Sequence, residues 1–278
     1  MKIKIAANYS HNLIKLIENK KIQLNYIKLS RADVIDEEIN IASQYQPTLL
    51  HYFPHLGKPT SFWEQFDWQS VKKNIKLGQC PYLSLHLDAY HSEIGQPSYD
   101  ELLALMLRNY EIITQHLAQN LMVENKKILL ENCDHAPYEK VTPEYNRINH
   151  VFQAQFINDF IQKSGAGLLL DLAHAQCSAH FMKKDIKTYL QEFNLESVCE
   201  IHLAGAREID GYLIDTHYCL QDHDYQLLEW VLPKTQVAVV TLEYGGTGEI
   251  YLTKEKNNSD LLEKQLLKIA KIINQYHP

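Results

Sequence analysis

The chain has 278 residues, of which 45% are hydrophobic and 22% charged, enough apolar material to bury a large core in one large or two small domains. Its net charge is −7, and no Lys/Arg run exceeds short pairs such as Lys183-Lys184, which disfavours tight binding to a nucleic-acid backbone. An odd set of cysteines (Cys80, Cys133, Cys177, Cys199, Cys219) without CxxC spacing fits a reducing, cytoplasmic location. The start, Met1-Lys-Ile-Lys-Ile, lacks the apolar core of a signal peptide, and no apolar run approaches the roughly 20 residues of a membrane span.

In chain order, apolar runs predict strands at Lys2 to Ala7, Leu24 to Leu29, Thr48 to Phe53, Tyr82 to Leu87, Lys127 to Glu131, Gly167 to Leu172, Val198 to Leu203 and Val237 to Glu243. Several are nearly continuous in Leu, Ile and Val, as strands buried on both faces of a parallel sheet require. Helical patterns fall between them. Tyr99 to Leu121 carries Leu102, Leu103, Met106, Tyr110 and Ile113 at mixed three- and four-residue spacing. A last helix runs from about Ser259 to Gln275, with Ser259 read as its N-cap. Strands alternating with helices call for parallel βαβ units, and eight of them predict a (β/α)8 TIM barrel, one domain over residues 1–278. The Gly-, Pro- and aromatic-containing connections Pro54 to Phe66 and Ala89 to Pro97 follow strands and are expected to cover the C-terminal mouth.

Side chains of ligand type fall at the ends of these strands. His51 ends the third and His86 the fourth; Glu131 ends the fifth, Asp171 and His174 the sixth; His202 ends the seventh and Glu243 the eighth. Beyond His202 the chain breaks at Ala204-Gly205-Ala206 into what reads as a polar loop closing on Asp215-Thr-His217. A barrel would aim all of these at one mouth. Four of the nine residues are carboxylates, and buried like charges need cations. Five imidazoles in the same set favour Zn, Fe or Mn over Mg or Ca, so the residues alone predict a cluster of two or three metal ions. His55 competes with His51 for the first position. Asp88, His91, Asn132, His135 and His180 are candidates to orient ligands or touch substrate, and Arg207 to face an anionic group or form a surface ion pair. Cys133 and Cys177, without an activating partner in sequence, read as packing residues.

Leu-Leu-Glu-Asn132, Leu-Leu-Leu-Asp171, Glu-Ile-His-Leu-Ala-Gly205 and Leu-Ile-Asp-Thr-His217 resemble the multinuclear non-haem iron-dependent oxidase family, within the xylose-isomerase-like superfamily, over about His51 to Glu243. The resemblance implies two or three irons, as Fe(II) and Fe(III), with zinc or manganese as alternative occupants. It also implies O2-dependent modification of cysteine or nearby backbone in a ribosomally made peptide, often presented by a separate partner protein. It carries ligand roles onto His51, His86, Glu131, Asp171, His202, Asp215, His217 and Glu243, with Glu131 as the bridge. Three positions depart from the family pattern: His174 stands where many members have Asn, Ala206 where the family often has His, and Tyr244-Gly-Gly246 where it has Trp-Asp. His174 is shared with endonuclease IV-like relatives, so a metal-dependent phosphoesterase is the alternative. A sugar isomerase or epimerase would need only Glu131, Asp171, His202 and Glu243, and a metal-free binding protein would leave the carboxylates repelling one another.

Overall fold

In the computed structural model, residues 2–30, 34–52, 54–117, 128–135, 146–247 and 253–276 are described. Eight parallel strands close into a barrel: β1 (Lys4–Asn8), β2 (Tyr26–Leu29), β3 (Thr48–Tyr52), β4 (Leu83–His86), β5 (Ile128–Glu131), β6 (Gly167–Asp171), β7 (Val198–Leu203) and β10 (Val239–Leu242), the last pairing with both β1 and β7. The TIM-barrel expectation therefore holds, and each expected strand is present. Phe53 and Lys127, at two of the expected strand ends, lie outside the described residues, as do positions 118–121 of the expected fourth-to-fifth-strand helix. Its described part is α6 (Tyr99–Leu117).

Period-2 alternation sorts the strand residues into two sets. Leu50, Leu85, Leu130, Leu170, Ile201 and Val240 point outward into the core shared with the helices. Inward, Ala6, Tyr26, Leu49, Tyr82, Leu129, Leu169 and Val239 form a separate apolar floor. Two residues further along the same strands come Asn8, Lys28, His51, Ser84, Glu131, Asp171 and Thr241, all buried. The apolar floor thus fixes the height at which the polar layer begins, just below the C-terminal mouth.

Two readings change. The segment read as a polar loop is an antiparallel hairpin, β8 (Gly205–Ile209) with β9 (Tyr212–Tyr218). Its two-residue turn is Asp210-Gly211, both at positive φ (52° and 81°), the pairing that matches the strands' own twist. The cap of the last helix, α11 (Ser259–Tyr276), is Asn258 and not Ser259: the Asn258 side chain accepts from the Leu261 amide at 3.0 Å, which leaves Ser259 inside the first turn.

Glycine matters where the hairpin leaves the barrel. A Cβ on Gly205 would collide with the Tyr218 and Cys219 carbonyl oxygens, so only glycine lets β8 pass the end of β9. Gly205→Ala is expected to lower stability by about 1–3 kcal/mol, read from the midpoint of urea unfolding; an unchanged midpoint would contradict this packing.

Candidate metal centre

Glu131 is the hub of the mouth. It ends β5 in the inward polar layer and is 1% exposed. Its Oε2 lies 3.1 Å from His51 Nε2 and 3.0 Å from His86 Nε2, and its Oε1 lies 2.8 Å from His202 Nδ1. Among the described residues, four groups of donor atoms could each hold a metal ion: His51, His86 and Glu131; Glu131, Asp171 and His174; Glu131, His202 and Glu243; and Asp215, His217 and Glu243. Three of the four share Glu131, and Glu243 links the fourth to the third.

Local structure orients three of the imidazoles, those of His51, His174 and His202. His51 Nδ1 is 2.9 Å from Ser84 Oγ, and Ser84 Oγ in turn is placed to donate to the Leu50 carbonyl at 3.4 Å. The His51 proton therefore sits on Nδ1 and the Nε2 lone pair faces Glu131. His174 Nδ1 donates to the Asn132 carbonyl at 2.8 Å, freeing Nε2, which lies 3.5 Å from Asp215 Oδ2. His202 turns Nε2 down to Glu200 Oε1 at 3.1 Å and its Nδ1 up into the centre. Glu200 is held by the Thr241 hydroxyl at 2.5 Å. A partner on the far nitrogen of each ring is the arrangement that fixes tautomer and orientation in metal-ligating histidines.

Asp171 has two tasks. It caps α8 (Leu172–Phe181), where its Oδ1 accepts from the His174 amide at 2.7 Å, and so the helix start places His174 beside it. Asn132 clamps the same carboxylate's backbone, donating to the Asp171 carbonyl at 3.0 Å and accepting from its amide at 2.8 Å.

Asp215 and His217 lie two apart on β9. The hairpin register slips between Gly205 and Ala206, Ala206 facing Asp215 while Gly205 faces Tyr218, so Thr216 and His217 form a bulge. His217 takes a left-handed φ of 52°, and its Nε2 comes to 2.9 Å from Asp215 Oδ2 and 3.3 Å from Glu243 Oε2. The bulge is what brings a strand residue back over the mouth.

Electrostatics concentrate here. Burial pushes the Glu131 carboxyl up, yet His51, His86 and His202 together hold it well below the usual carboxylate range. Burial raises Asp171, with Glu131 and Asp215 adding to the effect. Burial disfavours the His174 imidazolium, but Asp171, Asp215 and Glu131 outweigh it and hold its pKa well above the ordinary value. Burial depresses His51, and Lys28 depresses it further. The donor set fits a metal centre. Asp171 Oδ2 is buried without a hydrogen-bond partner, and the lone pair of His51 Nε2 faces a carboxylate oxygen, a contact that calls for a cation between them.

Other candidates lie elsewhere. His55 is not in any of the four groups: its Nδ1 donates to the Asp88 carbonyl at 2.9 Å and its Nε2 meets Glu93 Oε2 at 2.9 Å. Asp88 accepts from the Arg147 guanidinium at 2.7 Å. His180 is exposed near the Gly211 carbonyl, at 3.4 Å. Arg207 donates to the Ala206 and Cys219 carbonyls, each at 2.7 Å, and so ties the hairpin base. His135 stacks on Phe181 with centroids 3.6 Å apart, and burial lowers its pKa to about 4. Burial raises the thiols of Cys133 and Cys177, which suits packing. The sequence reading named none of Lys28, Glu200 and Ser84 in the centre, nor Arg147 beside it. Lys28, ion-paired with Glu243, and Glu200 each interrupt a buried apolar strand, which is the signal they gave. Arg147, which also reaches Asp134 at 2.8 Å, had no such signal.

The family model described as "RiPP precursor modification enzyme MbnB/TglH/ChrH" matches residues 65–248. A UPF0276 protein of Bordetella pertussis is 34% identical over 169 residues, 59% of this chain and 54% of that protein. One of Psychromonas ingrahamii is 28% identical over 163 residues, 55% of this chain and 52% of that protein. The chain thus spans about half the length of the curated relatives it matches. Among solved structures, an L-ribulose 3-epimerase superposes with a TM-score of 0.60 at 12% identity, covering 99% of this chain and 95% of that one. A family 2 AP endonuclease from Brucella melitensis superposes with a TM-score of 0.57 at 14% identity, covering 97% and 98%. These two share the fold, a closed barrel of eight parallel strands. No helix among the described residues is long and apolar enough to cross a membrane.

Proposed function

Because the chain belongs to the MbnB/TglH/ChrH family of RiPP precursor modification enzymes, we propose that it is an iron-dependent oxidase that uses O2 to modify cysteine residues of a ribosomally made peptide. In this reading His51, His86, Glu131, Asp171, His174, His202, Asp215, His217 and Glu243 hold a multinuclear iron centre, with Glu131 bridging. The observation that carries it is the sharing of Glu131 by three donor groups, a layout that serves adjacent ions and that a mononuclear isomerase does not need. Bound iron supplies the one-electron chemistry towards O2 that zinc lacks.

The protein's own residues do the remaining work. Ser84, Asn132 and Glu200 hold the imidazoles of His51, His174 and His202 so that no reorganisation is needed when metal and substrate arrive. The connection after β3 packs against the end of β4, the Gly57 amide donating to the Asp88 carbonyl at 2.9 Å, while the β8–β9 hairpin stands on the opposite side. The peptide cysteine enters between these two walls, where His86 and His217 are the partly exposed members of the centre (side chains 25% and 22% exposed). Presentation of the peptide by a separate partner protein belongs to the same proposal, as does a cytoplasmic setting.

His174 favours a second reading, a metal-dependent phosphoesterase, since it gives the Glu131–Asp171–His174 group an imidazole donor that zinc accepts as readily as iron. The two readings separate in one experiment. Apoprotein is loaded in parallel with iron or zinc and assayed with a cysteine peptide and an abasic DNA duplex. Oxygen uptake by the iron form with the peptide, and inert zinc protein, is the expected result. DNA cleavage by the zinc form without oxygen uptake by the iron form would replace the oxidase with a hydrolase.

A further inference from the structure

Every donor in the four groups comes from β3 onward, and β1 and β2 supply none. Their ends nevertheless complete the ring of the mouth. Asn8 ends β1 in the inward polar layer, paired in register with Lys28 of β2. The Ala7–Leu242 pairing sets it level with Glu243. A crevice opens in this arc, lined among others by Asn8, Ser30, Glu38 and Thr247, with about 10 Å³ of room for one water-sized group. Gly245 and Gly246 also line it and bring no side chain into the space.

Asn8 is 4% exposed, and its Oδ1 is buried without a hydrogen-bond partner. An unmatched buried acceptor costs stability, and a fold that keeps one at a crevice leaves it for a ligand to satisfy. Asn109 shows the contrast. Its Oδ1 is unpaired too, but its Nδ2 ties the chain by donating to the Leu56 and Lys58 carbonyls, each at 2.8 Å. No hydrogen bond with a described residue anchors the Asn8 side chain in this way. Glu38, 6% exposed, already accepts from the Thr247 hydroxyl, and its carboxylate turns anions away. The unmet group is therefore a neutral acceptor, and it calls for a neutral donor.

We propose that this crevice is a specificity subsite for the peptide: it takes the tip of the residue beside the modified cysteine, a short side chain whose amide N–H or hydroxyl donates to Asn8 Oδ1. The inference rests on the peptide-oxidase reading above and adds to it the chemistry of the substrate next to the reacting sulfur. A group seated there lies beside Glu243, hence next in line to a cysteine held at the centre. The arc without metal donors is thus the arc that reads the substrate.

The test uses the full chain, loaded with iron under anaerobic conditions, and two pairs of blocked cysteine dipeptides as probes. One pair sets asparagine against leucine beside the cysteine, the other serine against alanine, each placed before or after it. Dissociation constants are read by calorimetry. In at least one order, the asparagine or serine peptide is expected to bind about 10-fold more tightly than its partner without the donor. Asn8→Leu should bring the two within about 2-fold while keeping the affinity for the leucine or alanine peptide. The urea midpoint of metal-free Asn8→Leu should be no lower than that of wild type, because the substitution removes an unmatched acceptor. Equal affinities in wild type, as when water alone fills the crevice, overturn the subsite and leave the oxidase reading standing. A preference that survives Asn8→Leu, or a lowered midpoint that makes Asn8 a structural residue, does the same. Failure of every cysteine peptide to bind overturns the peptide reading, and this inference with it.

Discussion

Glu131→Gln is expected to lose bound metal almost completely, with an affinity loss beyond 100-fold and activity falling with it. The amide keeps the shape of the side chain but removes the charge that meets His51, His86 and His202 at 2.8–3.1 Å. It also offers a donor where the His51 nitrogen presents a lone pair. Because Glu131 serves three of the four donor groups, its loss weakens them together, whereas His86→Ala should weaken one. Asn132→Ala sets the scale: it touches no donor atom of the centre except through Asp171 and His174, and an outer partner of this kind is worth about 10–100-fold in metal affinity. Asp171→Ala and His202→Ala should fall between these two. Competition with a chelator, read by elemental analysis, ranks the variants; Glu131→Gln binding as tightly as wild type would remove the hub from the account.

Arg147→Met is expected to destabilise the chain by about 3–5 kcal/mol, independent of metal. Its guanidinium donates to Asp88 Oδ2 at 2.7 Å and to Asp134 Oδ1 and the Asp134 carbonyl at 2.8 and 2.7 Å. Both carboxylates are buried, at 2% and 4% exposure. Removing the cation strands two charges, which costs more than the pair contributes when intact. Asp88→Asn combined with Arg147→Met should recover part of the loss, because one of the stranded charges is then gone. Urea unfolding of the metal-free protein measures both; a single variant within about 0.5 kcal/mol of wild type would mean that water reaches these carboxylates.

Much of the barrel was legible because its signal is local. Continuous apolar runs flanked by helical patterns need no knowledge of distant contacts, and ligand-type residues at their ends needed only the barrel to converge. His51 and His55 were not separable by sequence. Both follow the third strand, and the choice depends on alternation relative to the floor: Leu49 lies in the apolar layer, which carries His51 two residues further inward, while His55 is past the strand and turns to Asp88 and Glu93. The β8–β9 hairpin had a readable signal in Asp210-Gly211, but Arg207 and Asp215 gave its strands the polarity of a loop. The bulge at Thr216 and His217 had none, since it follows from how β9 meets Gly205. Lys28 shows the opposite lesson. A charged residue inside Tyr26-Ile-Lys-Leu29 contradicts a buried strand locally, and that contradiction marks the site.

The most direct test of the central claim is anomalous scattering at the iron absorption edge from crystals of protein purified without oxygen. The account predicts iron on both sides of the Glu131 carboxylate, one ion beside His51 and His86 and another beside Asp171 and His174. A single ion held by Glu131, Asp171, His202 and Glu243, or no ion at all, would contradict it.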